Sequence, residues 1–100
     1  EPGSDEYCEV FEVAVRMYPD DPVANLNAAN IALGRNELER AAGYLSKAGN
    51  APEAVYARGI LAAKRGDYAD AVRLFDDAST SGVSQASEAV GQLRELGLAE

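Results

Sequence analysis

Apolar side chains recur every three or four residues through most of this chain, which is the period of an amphipathic α-helix. Proline and glycine interrupt this period at regular intervals and divide the chain into segments of helical length. The pattern predicts six helices, at about residues 5–18, 22–34, 36–48, 52–65, 67–79 and 84–97. Because the connections between them are short, successive helices are expected to be antiparallel neighbours. The sequence therefore predicts an all-α protein.

Polar residues that commonly cap helices stand just before several of these segments. Asp21 precedes Pro22, and proline is well suited to the first helical position because its missing N–H would have no partner there. Asn36 is followed three residues later by Glu39, the spacing of a capping box, so Asn36 is predicted to be the N-cap of the third helix. Asp67 and Ser84 are predicted to cap the fifth and sixth helices in the same way.

Two stretches of the chain repeat one pattern without gaps, residues 22–48 and residues 52–78. Both begin with proline, and they match at a small residue, an aromatic or leucine, an alanine, a bulky apolar pair and a closing alanine. The matching positions are Ala29 and Gly59, Leu38 and Tyr68, Ala41 and Ala71, Tyr44-Leu45 and Leu74-Phe75, and Ala48 and Ala78. A two-helix unit that recurs about every thirty residues is typical of a helical solenoid.

These residues resemble the tetratricopeptide repeat family, in which small residues let the two helices of each unit cross closely. The resemblance implies one domain over residues 1–100, an antiparallel helix–turn–helix solenoid. Its expected parts are a half repeat at 5–18, full repeats at 22–48 and 52–78, and a C-terminal capping helix at 84–97. The spacing from Pro22 to Pro52 is 30 residues and not the 34 of the family, and the third helix is expected to be about one turn shorter.

The resemblance also implies a function, the binding of a protein or peptide in a concave groove lined by the first helix of each repeat. The corresponding positions of this chain are Leu26, Asn27, Asn30, Leu33, Tyr56, Ile60 and Lys64. The carboxamides of Asn27 and Asn30 could hold the backbone of an extended peptide. The alternative for these two side chains is hydrogen bonding to neighbouring helices or to water.

A second interpretation is a structural spacer or a self-association element. If residues 5–18 form a half repeat, the first helix of that repeat is expected to be missing, and Val10, Phe11 and Val13 could then leave an apolar stripe uncovered. A homodimer formed through residues 5–18 would cover that stripe.

Composition and charge restrict the function further. The formal net charge is −8, and no cluster of lysine and arginine is present, which argues against binding of nucleic acid. The chain has no histidine, so we expect neither catalysis nor a zinc-type metal site nor a cofactor. Cys8 is the single cysteine and cannot form an internal disulfide. No apolar run reaches the length of a membrane span, so membrane insertion is not expected.

A narrower resemblance concerns the stretches YPDDPVANLNAANIAL, YLSKAG and YARGILAAKRGDY. They are similar to C-terminal repeat domains of bacterial outer-envelope proteins that also carry an OmpA-like domain. This resemblance implies that the chain is one module of a larger protein in the periplasm or outer envelope.

Overall fold

A computed structural model describes residues 13–98, and within this range the chain is all-α with no strand, as predicted. Helix α1 covers residues 13–17 of the described part. The five that follow are α2 (Pro22–Gly34), α3 (Leu38–Leu45), α4 (Pro52–Lys64), α5 (Tyr68–Thr80) and α6 (Ser84–Glu95). The part of the first predicted helix before residue 13 lies outside the described residues.

The chain divides into two compact units, with the boundary between Gly49 and Asn50. The described helices of the first unit are α1, α2 and α3, and those of the second unit are α4, α5 and α6.

The first unit is built on a close hairpin of α2 and α3. Its buried positions are mostly alanine, which lets two helices approach closely; they include Ala24, Ala28, Ala29, Ala32, Leu33, Ala41, Leu45 and Ala48. A Cβ atom placed on Gly49 would lie 3.6 Å from Cβ of Pro22, so the chain after α3 returns to the start of α2. The two helices are therefore antiparallel.

The second unit buries the same positions of the repeat. Ala54, Gly59, Ala71, Phe75 and Ala78 are buried, as are their counterparts 30 residues earlier in the chain. Helix α6 then adds a further layer to this core with Ala86, Val90 and Leu93. The agreement between the two units is the structural counterpart of the sequence repeat.

The predicted helix starts are only partly correct. Asp21 does cap α2, because its side chain accepts a 3.0 Å hydrogen bond from the backbone N–H of Val23. The predicted capping box at Asn36 is wrong, since the N-cap of α3 is Glu37. Asp67 is the N-cap of α5, as predicted, but its side chain forms no capping hydrogen bond. Ser84 is the first residue of α6 and Val83 is the N-cap, so the prediction that Ser84 caps this helix is wrong.

Asn36 instead ends the preceding helix. It has φ 60, and it occupies the same place after α2 that Gly66 (φ 84) occupies after α4. The N–H of Asn36 bonds to the carbonyl of Leu33, and that of Glu37 to Ala32, which is the hydrogen-bond pattern of a Schellman motif. Asparagine tolerates this left-handed conformation better than most residues. The same pair of bonds follows α5 at Gly82 and α6 at Gly97.

Helix α3 is shorter than predicted and shorter than α5, its counterpart in the second repeat. It ends at Leu45, and the chain tightens after it through bonds from the N–H of Lys47 to Tyr44 and from the N–H of Ala48 to Leu45. The Ser46 hydroxyl also donates to the carbonyl of Gly43 at 2.6 Å. Helix α3 has 8 residues and α5 has 13, although the two occupy the same place in the repeat.

Candidate functional site

The second unit carries an open groove between α4, α5 and α6, with a cavity volume of about 370 Å³. This volume lies within the usual range for ligand-binding clefts. The lining is mostly apolar or aromatic and consists of Tyr56, Ile60, Ala63, Lys64, Tyr68, Phe75, Ala89, Gln92, Leu93 and Leu96.

The buried side of the groove depends on the close crossing of α4 and α5. Phe75 is only 3% exposed, and its ring lies directly over Gly59, where an added Cβ would be 2.6 Å from two ring carbons. The ring of Tyr56 packs beside it, with the centroids 5.6 Å apart and the planes tilted by 47°. This is a favourable arrangement for two aromatic rings. The absence of a side chain at Gly59 thus allows an aromatic surface to form between the helices.

Few polar side chains line the groove. Lys64 is exposed, and Gln92 of α6 is exposed as well. Tyr56 and Tyr68 each add a phenolic hydroxyl. All four side chains can donate a hydrogen bond, and no aspartate or glutamate lines the groove. The lining therefore combines apolar contact area with hydrogen-bond donors and one positive charge.

Three of the residues that the sequence assigned to a groove come together here. Tyr56, Ile60 and Lys64 follow each other on α4 at intervals of four residues, and all three line the cavity. Tyr56 and Ile60 are half-buried, so they keep surface that a ligand can contact. The α6 residues that complete the lining were not predicted, because α6 does not repeat the pattern of α2 and α4.

The four groove positions predicted in the first unit differ from one another in how far they are buried. Leu26 and Asn27 are half-buried and Asn30 is exposed. Leu33 is only 4% exposed and belongs to the buried core of this unit. A depression of about 520 Å³ in this unit is lined by none of the four; its residues are Val15, Pro19, Asn25, Arg40, Gly43, Tyr44, Ser46 and Lys47.

The asparagine with the clearest structural role was not among the predicted residues. Asn25 is 1% exposed, and its side-chain amide donates to the carbonyls of Pro19 and Asp21, both at 2.9 Å. It joins the turn that follows α1 to the first turns of α2. The sequence contained one indication of this role. Asn25 stands at the position of the repeat that Val55 occupies in the second copy, so a polar residue replaces an apolar one there.

Three arginines outside the groove, Arg35, Arg40 and Arg73, form ion pairs with Glu37 or Asp70 on the surface. Arg73 donates to Asp70 at 2.8 Å one turn earlier on α5, and this hydrogen bond and charge lower the pKa of Asp70 below 3.8. In residues 13–98 no three histidine, cysteine, aspartate or glutamate side chains are grouped so as to hold a metal ion. Over the same range no helix has both the length and the apolar character needed to cross a membrane.

Comparison of the chain with family models, with curated proteins and with solved structures gave no match.

Proposed function

We propose that this chain is a non-catalytic interaction module of the tetratricopeptide type, which binds a peptide segment of a partner protein and belongs to a larger protein. The groove of the second unit is its binding site. A single observation carries the proposal, namely a mostly apolar groove with buried aromatic and aliphatic side chains at its base and exposed residues at its edge.

Two features of the groove favour a peptide over a small polar ligand. Phe75 and Leu93 present apolar surface at the base, while Leu96 at the edge is 71% exposed, although burial of a leucine would be favourable. An occupant that covers these side chains needs apolar anchor residues of its own. The helix-lined shape and the half-buried Tyr56 and Ile60 suit insertion of such anchors.

The experiment selects a phage-displayed library of random dodecapeptides on the full chain and measures the affinity of enriched peptides by fluorescence anisotropy. Leu96→Glu should weaken binding by about tenfold or more, because it places an unpaired charge against the apolar anchor. Val23→Glu is the matched control, since Val23 is 66% exposed at a helix end of the first unit. Failure to enrich any peptide, or equal affinity of the two variants, would contradict the proposal.

Self-association is a second candidate, and a specific observation favours it. Val13, Met17 and Tyr18 of the first unit are all exposed, and Val13 and Met17 are one turn apart on α1. Burial of such a stripe against a second copy would remove apolar surface from water. Light scattering distinguishes the two candidates: a dimer that dissociates in the Met17→Glu variant supports self-association, and a monomer at high concentration rejects it.

A further inference from the structure

We infer that the segment bound in the groove of the second unit carries an acidic side chain next to its apolar anchors, and that this carboxylate pairs with Lys64. The inference rests on the proposed function, and it specifies the chemistry of the partner.

The charge of the lining differs in sign from that of the whole chain. The formal net charge of the protein is −8, yet Lys64 is the one charged residue among those that line the groove. It stands in the last turn of α4, one turn beyond Ile60 and therefore beside the apolar surface. Lys64 forms no ion pair with another residue in the described part of the chain. Its ammonium group is available to a ligand.

The hydrogen-bonding groups of the lining point to the same chemistry. An ammonium group has only donors, and the hydroxyls of Tyr56 and Tyr68 and the amide of Gln92 can donate as well. A carboxylate has only acceptors when it is ionised, so each of these groups can donate to it, whereas Lys64 could not donate to an ammonium or guanidinium group. A basic side chain at the same place would face Lys64 and be repelled.

The three helices also carry acidic residues outside the lining, among them Asp70, Asp76 and Asp77 on α5 and Asp67 directly before it. Glu88 and Glu95 lie one turn on either side of Gln92 on α6, and Glu53 lies one turn before Tyr56 on α4. None of the three lines the groove. Because charges are screened over about 8 Å at physiological ionic strength, a ligand group in direct contact with Lys64 interacts most strongly with that ammonium group. The acidic residue of the partner is therefore expected at the α4 side, near the end of that helix.

The test uses two phage-displayed dodecapeptide libraries that share a fixed pair of leucine and phenylalanine anchors. One library fixes glutamate beside the anchors and the other fixes lysine. The glutamate library should enrich on the full chain and the lysine library should not. The affinity of the enriched glutamate peptides should fall about tenfold in Lys64→Glu. It should also weaken as the sodium chloride concentration is raised, because salt screens the ion pair.

Lys47→Glu is the matched control, because it changes the net charge by the same amount at an exposed lysine of the first unit. Thermal melts establish that both variants fold, and Lys64→Gln replaces Lys64→Glu if the charge reversal destabilises α4. Enrichment of the lysine library, or equal loss of affinity in the two variants, overturns the inference. If Leu96→Glu still abolishes binding in that case, the groove proposal survives; if neither library enriches, both are rejected.

Discussion

Addition of one methyl group at Gly59 tests the packing on which the groove depends. Alanine at this position would bring Cβ to 2.6 Å from Cδ1 and Cε1 of Phe75 and to 3.2 Å from Cζ. Non-bonded carbon atoms are normally about 3.5–4.0 Å apart, so the ring and the helix would have to separate by about 1 Å. Phe75 is buried and packs on Tyr56, and its displacement therefore alters the base of the groove.

The magnitude follows from two opposing effects. Overpacking of a filled core costs about 1–3 kcal/mol. Replacement of glycine by alanine inside a helix gains about 1 kcal/mol. The net effect of Gly59→Ala is thus a loss of stability of about 0–2 kcal/mol, which alone would be hard to interpret. A matched glycine removes this difficulty.

Gly91 supplies that control, because it lies inside α6 of the same unit and a Cβ there would meet no atom within 4 Å. Gly91→Ala should therefore gain the helix propensity without the clash, about 1 kcal/mol. The difference in unfolding free energy between the two variants then isolates the steric effect at about 1–3 kcal/mol. Urea unfolding followed by circular dichroism at 222 nm measures both, provided that the m-values agree.

A second substitution identifies the side chain responsible. In a Phe75→Leu background the ring carbons that meet the new methyl group are gone, so Gly59→Ala should become less harmful or stabilising. The coupling energy between positions 59 and 75 is expected to be on the order of 1–3 kcal/mol. Equal stability of the Gly59→Ala and Gly91→Ala variants, or additive effects of the Gly59 and Phe75 substitutions, would refute the reasoning.

Two further predictions concern the polar contacts outside the groove. Asn25→Ala removes the buried amide that bonds to the carbonyls of Pro19 and Asp21, and it should lower the unfolding free energy by about 1–3 kcal/mol in urea titrations; Asn27→Ala is the control and should change it little. Because Arg73 depresses the pKa of Asp70 in the folded protein, this pair stabilises the fold above the unfolded pKa and ceases to do so as pH falls through the lower folded value. Arg73→Gln should return the Asp70 pKa towards 3.8 in a carbon-detected NMR titration, and an unchanged pKa would disprove the assignment.

The sequence by itself determined the helices and the positions that they bury. Pro22 and Pro52 start helices, and Gly66, Gly82 and Gly97 end them, because these residues restrict or release φ whatever lies around them. The repeat matched Ala41 with Ala71 and Leu45 with Phe75, and the structure buries all four. These features depend on neighbours a few residues away in the chain, so a local pattern is sufficient to predict them.

Asn36 shows where local reasoning becomes ambiguous. An asparagine in a short turn can begin the next helix or end the previous one, since its side chain suits an N-cap and its backbone tolerates a positive φ. The bond from the N–H of Glu37 to the carbonyl of Ala32 places it at the end of α2. The capping-box pattern alone could not exclude this outcome.

Only the tertiary structure decided which positions of different helices lie together in the core or in the groove. Leu33 and Leu26 occupy similar places in the helical pattern, yet Leu33 is buried in the core and Leu26 retains exposed surface. The groove itself needs Gln92, Leu93 and Leu96 of α6 beside Tyr56 and Ile60 of α4, residues that are more than thirty positions apart in the chain. Helical periodicity fixes the faces of each helix, but the partner of each face depends on packing between distant segments.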